Sequence, residues 1–140
     1  MTLVVASVLL AGCGFSPFGC TVAGCESGVG FTLDRDLVTG TEYRVLACAD
    51  DRCAEGTLHV GPDSDGTDGP LALVVGTDVA DSIFYRLDGS ELASEHHVSV
   101  TVHADDGELL VEWEGSAEFV RTQPNGPLCQ PTCWLAEVTL

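Results

Sequence analysis

The feature that most limits what this chain can fold into is the alternation of apolar and polar residues at every second position. Residues 98–102 read Val-Ser-Val-Thr-Val, residues 109–114 read Leu-Leu-Val-Glu-Trp-Glu, and the dipeptide Asp106-Gly107 lies between them. A period of two places apolar side chains on one face of a β-strand, and Asp-Gly is typical of a tight hairpin turn. The sequence therefore predicts a β-hairpin with one buried face.

The same period recurs from residue 29 onwards, interrupted by turn residues at short intervals. Apolar residues alternate in, or run through, the segments 29–33, 43–47, 58–60, 71–75, 83–87, 117–119 and 134–140, and no stretch has a helical period of any length. Seven to nine short strands predict one all-β domain over residues 29–140, an antiparallel, immunoglobulin-like β-sandwich. A small β-barrel is the alternative. Trp113 and Trp134 lie on apolar faces and are predicted to be core residues.

The N-terminus has the pattern of an export signal. Residues 3–11 form an apolar run that only Ser7 interrupts. Such a run is too short to cross a membrane, which takes about 20 residues, but it suits the apolar part of a signal peptide. No Lys or Arg precedes it, which leaves open a start codon further upstream, and a buried N-terminal strand is the alternative interpretation.

The apolar run ends in Leu-Ala-Gly-Cys at positions 10–13, which resembles the lipobox of bacterial lipoproteins. The resemblance implies that residues 1–12 are a signal peptide and that Cys13 becomes the lipidated first residue of the mature chain. Two or more acyl chains anchor a protein stably. We therefore expect an exported protein, attached by its lipid to the extracytoplasmic face of the cell membrane.

A second resemblance lies near the C-terminus. Residues 123–134 read Gln-Pro-Asn-Gly-Pro-Leu-Cys-Gln-Pro-Thr-Cys-Trp, which is similar to a segment of uncharacterised secreted lipoproteins of GC-rich bacteria. The similarity covers about a dozen residues and the lipobox, and it implies an immunoglobulin-like sandwich without implying any activity.

The cysteine count agrees with export. The seven cysteines are Cys13, Cys20, Cys25, Cys48, Cys53, Cys129 and Cys133. If Cys13 carries a lipid, six remain, an even number that three disulfides would use, as in proteins of oxidising compartments. The six fall into close pairs, so of the fifteen possible connectivities we favour the local one, with the bridges 20–25, 48–53 and 129–133. The alternative, structural zinc, usually takes a tighter C-x₂-C spacing or a nearby His pair.

The middle cysteine pair has a geometric basis. If Asp50 and Asp51 form a two-residue hairpin turn, the residues flanking them make a hydrogen-bonded pair, and Cys48 then faces Cys53 in a non-hydrogen-bonded pair. Cα atoms in such a pair lie ~4.5 Å apart, which a disulfide tolerates. Residues 13–28, by contrast, are glycine-rich and show no period. They are predicted to be a lipidated tether.

The net charge and the absence of lysine exclude several classes of function. The net charge is −17 and the chain has no lysine. An acidic surface repels phosphate, so we expect no nucleic-acid partner, and it repels anionic lipid, so membrane attachment should depend on the lipid at Cys13. Schiff-base chemistry, the P-loop and the S-x-x-K nucleophile all need a lysine.

The remaining candidate sites are a loop and a set of histidines. Asp63, Asp65 and Asp68 lie in a glycine-rich segment, where oxygen ligands could bind Ca²⁺, the only cofactor that the sequence suggests. The alternative is a solvated strand connection. His96 and His97 should face opposite ways, His97 and His103 should lie ~20 Å apart on one face, and His59 could approach one of them across the sheet. Surface histidines are expected.

No catalytic motif is present; Ser90, in Leu-Asp-Gly-Ser, has the pattern of a turn rather than of a nucleophile elbow. The sequence thus favours a non-enzymatic, lipid-anchored module for binding, adhesion or envelope structure. A calcium-dependent binding module and a hydrolase whose site the sequence does not reveal are the alternatives.

Overall fold

A computed structural model describes residues 24–38, 40–60, 67–75, 79–88, 92, 94–126 and 128–140. These residues form two β-sheets that pack face to face and contain no helix. The predicted all-β sandwich is confirmed. The alternative, a closed barrel, is wrong, because the two sheets are separate.

Ten strands occur in the described part of the chain. In order they are β1 (Gly28–Val38), β2 (Thr41–Ala49), β3 (Arg52–Val60), β4 (Thr67–Asp68), β5 (Leu71–Val75), β6 (Val79–Arg86), β7 (Glu95–Ala104), β8 (Leu109–Glu118), β9 (Val120–Thr122) and β10 (Cys133–Thr139). The large sheet has the order β4-β5-β6-β1-β10-β9, and the small sheet has the order β3-β2-β7-β8. The two-sheet architecture is that of immunoglobulin-like domains, with a strand order of its own.

Pairing is antiparallel except between β1 and β10, which run parallel with Gly28 opposite Leu135 and Thr32 opposite Thr139. The predicted antiparallel sandwich therefore contains one parallel pair of strands. Parallel neighbours need a crossover connection rather than a hairpin, and here almost the whole domain lies between the two strands. The arrangement brings the beginning and the end of the domain together.

The predicted alternation produces the core. In β7, Val98, Val100 and Val102 are fully buried between the sheets, and Phe31 and Ile83 of the large sheet are buried opposite them. Burying a side chain of this size stabilises the fold by ~1.5–3 kcal/mol.

The two tryptophans are partly buried and pack against this core, as predicted. The ring of Trp113 meets Phe31 edge-on, with 6.3 Å between the ring centroids.

The domain begins earlier than residue 29. Ser27 is buried; its hydroxyl accepts a hydrogen bond from the Trp134 amide (3.0 Å), and its carbonyl accepts one from the Leu87 amide (2.9 Å). At Gly28 a Cβ would come within 2.2 Å of the Tyr85 carbonyl oxygen. The last residues of the predicted tether are thus part of the sandwich, and this glycine is needed for close packing rather than for flexibility.

The predicted signal peptide, Cys13 and Cys20 lie outside the described residues. Within the described ranges, no helix is long and apolar enough to cross a membrane.

Candidate functional site

The predicted turn and disulfide at the tip of the β2–β3 hairpin are confirmed. Asp50 and Asp51 form the turn, and Cys48 faces Cys53 in the register of the two strands. These cysteines form a disulfide with a Cα–Cα distance of 4.1 Å, close to the ~4.5 Å of a non-hydrogen-bonded pair. Asp50 has a φ of 53°, in the left-handed region that aspartate tolerates better than most residues.

The other two predicted disulfides are wrong. Cys25 is bonded to Cys133, 108 positions away, with a Cα–Cα distance of 6.1 Å. Cys129 is also disulfide-bonded, but not to Cys133, which bonds to Cys25. The parallel pairing of β1 with β10 brings Cys25 beside Cys133, which spacing along the chain cannot reveal.

A histidine–aspartate pair joins the hairpin tip to β7. The Asp50 carboxylate lies 2.5 Å from Nδ1 of His96 and accepts a hydrogen bond from the His97 amide at 3.0 Å. The Asp50 amide donates in turn to the His97 carbonyl at 2.7 Å. The hydrogen bond with His96, and then the bond from the His97 amide, hold the pKa of Asp50 below its usual value, against a smaller opposing effect of desolvation.

The prediction that the histidines lie on the surface is wrong for His96. Its side chain is only 14% exposed, and its ring meets Phe119 edge-on at 5.4 Å. Its Nε2 atom is buried and has no hydrogen-bond partner. The sequence carried a signal for this position, because 96 has the same parity as the buried residues Val98 and Val100 and therefore faces inward. The pair fixes the hairpin on the core and presents no reactive nitrogen to solvent.

The other histidines lie apart from one another, as predicted. His97 is exposed, with Nε2 3.8 Å from the Glu114 carboxylate. His59 is exposed and lies opposite Glu42 in the β2–β3 register, and His103 is half-buried. Within the described part of the chain, no three His, Cys, Asp or Glu residues are grouped to hold a metal ion.

Of the three aspartates in the calcium hypothesis, Asp68 lies within the described residues, and Asp63 and Asp65 lie outside them. Asp68 belongs to the short strand β4, and its Oδ2 accepts a hydrogen bond from the Thr57 amide at 2.8 Å. A Cβ at Gly56 would come within 2.8 Å of the same oxygen. This carboxylate therefore caps β3, a role that the loop composition did not indicate.

The outer face of the small sheet is largely polar and carries several carboxylates. A groove of about 410 Å³ at one end of this face is bordered by the carboxylates of Glu42, Asp105 and Asp106, with Arg44 among them. Glu112 and Glu114 of β8 extend the acidic surface towards the other end. Side chains of this kind can attract and orient a cationic partner.

Comparison of the chain with protein families, with curated proteins and with solved structures gives no match. The fold and the site thus define a disulfide-bonded β-sandwich with several carboxylates on the outer face of its small sheet.

Proposed function

We propose that this chain is an exported lipoprotein whose β-sandwich serves as a non-enzymatic binding module on the outer face of a membrane. The observation that carries the proposal is the set of disulfides. Cys25–Cys133 and Cys48–Cys53 are formed, and Cys129 is bonded as well. Disulfides persist in oxidising compartments outside the cytosol.

The cysteine balance connects the disulfides to the anchor. Cys129 is disulfide-bonded, and Cys13 and Cys20 are the two cysteines outside the described residues. We propose Cys20 as the partner of Cys129, which leaves Cys13, the cysteine of the lipobox-like motif, for the lipid. The disulfide between Cys25 and Cys133 then links the segment that follows the proposed lipid anchor to the last strand of the sandwich.

The binding role is supported by the kind of surface that the domain offers. The grooves on the small sheet are bordered by exposed carboxylates, and His96, the histidine closest to a catalytic arrangement, has a buried Nε2. Open polar faces of this kind suit a macromolecular partner better than a small substrate.

Intact mass spectrometry of the protein extracted from membranes tests the proposal. We expect the mass of residues 13–140, plus acyl groups, less two hydrogens for each of three disulfides. The matched control is Cys13→Ser, which should keep all three disulfides and leave the membrane fraction. An unmodified chain that still begins at Met1 would overturn the proposal.

Alkylation of free thiols tests the assignment of Cys20. The Cys20→Ser variant should expose one reactive thiol, and peptide mapping should place it at Cys129. A Cys20→Ser variant without a free thiol would mean that Cys13 forms the bridge, and the lipid anchor would then be excluded.

A further inference from the structure

The register of the small sheet fixes which backbone groups of its edge strands point outward. The Asp50 amide donates to the His97 carbonyl, so odd-numbered residues of β7 bond to β2 and even-numbered ones bond to β8. In β8 the partners of those even-numbered residues are 111, 113, 115 and 117. The amides and carbonyls of Glu112, Glu114, Ser116 and Glu118 therefore point away from the sheet.

The opposite edge of the same sheet, β3, is covered. The same rule points the Thr57 amide outward, and Asp68 accepts its hydrogen bond. Strands β4 and β5 also pack beside β3. In the large sheet, the edge strands β4 and β9 have only two and three residues, a common way of blunting an edge. Among the described strands, β8, with ten residues, is the long edge that no other strand covers.

The two sides of β8 differ in chemistry. On the outer face, Glu112 and Glu114 border a groove of about 350 Å³. On the other side, between the sheets, a groove of about 330 Å³ is lined by Leu110, Val111, Trp113 and Leu140, with the polar side chains of Asp34, Glu112 and Thr139 at its border. A strand added to β8 would place alternate side chains against these two sides.

We propose that β8 binds an extended segment of a partner protein by strand addition, with Lys or Arg at alternate positions of that segment and apolar residues between them. The basic residues would face Glu112, Glu114 and Glu118, and the apolar ones would face the groove beside Trp113. This inference rests on the proposed function as a binding module and names the class of its partner.

Charge argues against a second copy of this chain as the occupant. Antiparallel pairing of β8 with itself would bring its glutamates close to one another, and like charges opposite each other across strands are destabilising. The chain also has no lysine and only five arginines, so it lacks a segment of the required pattern. A basic partner segment would form hydrogen bonds with the outward amides and carbonyls of β8, and its positive charges would pair with the glutamates of that strand.

Hydrogen exchange on the oxidised full chain tests the proposal. The probe is a synthetic peptide in which Lys and Val alternate; the control peptide has the same composition with Lys and Val in separate blocks. We expect the alternating peptide to bind more tightly, with an affinity that falls as salt is added, and to slow exchange at the amides of Glu112, Glu114, Ser116 and Glu118. The exchange rate of the outward amide of Glu55 in β3 should not change when the peptide is added.

A pair of proline variants provides a second measurement. Ser116→Pro removes an outward amide of β8 without removing a bond to β7, and Glu55→Pro is the matched change in β3. Ser116→Pro should weaken binding of the alternating peptide by about tenfold, as expected for one lost hydrogen bond, and Glu55→Pro should leave binding unchanged. If the Ser116→Pro variant fails to fold, the hydrogen-exchange pattern of the unsubstituted chain with the alternating peptide tests the proposal by itself.

Three results would overturn the inference: equal binding of the two peptides, which indicates general attraction to an acidic protein; no slowing of exchange along β8; or slowing of the same amides by self-association without peptide. Each of these leaves the lipid mass and the disulfides unaffected. An unmodified chain in the mass experiment would instead overturn the proposed function and leave the peptide result standing.

Discussion

The two hairpins of the small sheet have the same architecture, but only one of them is fastened. The β2–β3 hairpin carries a disulfide beside its turn, its turn residue Asp50 is bound to His96, and its outer edge is capped by Asp68. The β7–β8 hairpin turns at Asp106-Gly107, carries no disulfide, and has an outer edge that no described strand covers. The β2–β3 hairpin, called the closed hairpin below, is stabilised by these contacts. The β7–β8 hairpin, called the open hairpin, has outward backbone groups that the proposed partner segment would bind.

Two leucines in the outermost strands should show the largest difference. Leu58 of β3 is fully buried, and Leu109 of β8 is 47% exposed. Leu58→Ala should lower the free energy of unfolding by ~2–5 kcal/mol, as for a buried leucine, and Leu109→Ala should change it by less than ~0.5 kcal/mol. Urea denaturation measures both variants. Equal losses would mean that the β8 edge is as firmly packed as β3.

Removal of the hairpin disulfide should have the next largest effect. A bridge that closes so short a loop contributes ~2 kcal/mol in the chain-entropy account, so the double variant Cys48→Ala/Cys53→Ala should lose about that much stability in denaturant. The control is Ser99→Ala/Glu114→Ala, which changes the facing pair at the same level of the open hairpin. A comparable loss in the control would remove the distinction between the hairpins.

The contrast between the hairpins also marks how far the sequence could predict the structure. The Cys48–Cys53 bridge was predictable because turn and register are local, and the parity rule that buries Val98 also points His96 inward. The Cys25–Cys133 bridge was not, since it depends on the parallel pairing of the first and last strands. For Asp68, the acidic neighbours along the chain leave a calcium ligand and a solvated strand connection as alternatives, whereas its hydrogen bond with the Thr57 amide depends on β4 lying beside β3, a contact between strands.

The cap on β3 gives a smaller effect. Asp68→Ala should leave the Thr57 amide without its acceptor and cost ~0.5–1.5 kcal/mol, the net value of one hydrogen bond. Hydrogen exchange should show faster exchange at Thr57. Glu112→Ala, which removes a carboxylate from the open edge, is the matched control and should leave stability within ~0.5 kcal/mol of the parent. An unchanged exchange rate at Thr57 in Asp68→Ala would mean that the carboxylate is not what closes this edge.

The smallest effect is expected at the turn, and it depends on pH. The pKa of Asp50 lies below its usual value of 3.8 because His96 and the His97 amide bind the carboxylate. A lowered folded-state pKa stabilises the protein above the unfolded-state value, and the gain is lost as pH falls through the folded-state pKa. Asp50→Asn should therefore be less stable than the parent at neutral pH, and the difference should narrow as the pH falls below about 3.8. Thermal unfolding between neutral and acidic pH measures it, with Asp51→Asn as the control in the same turn. A difference independent of pH would mean that the charge of Asp50 does not help to fasten this hairpin to β7.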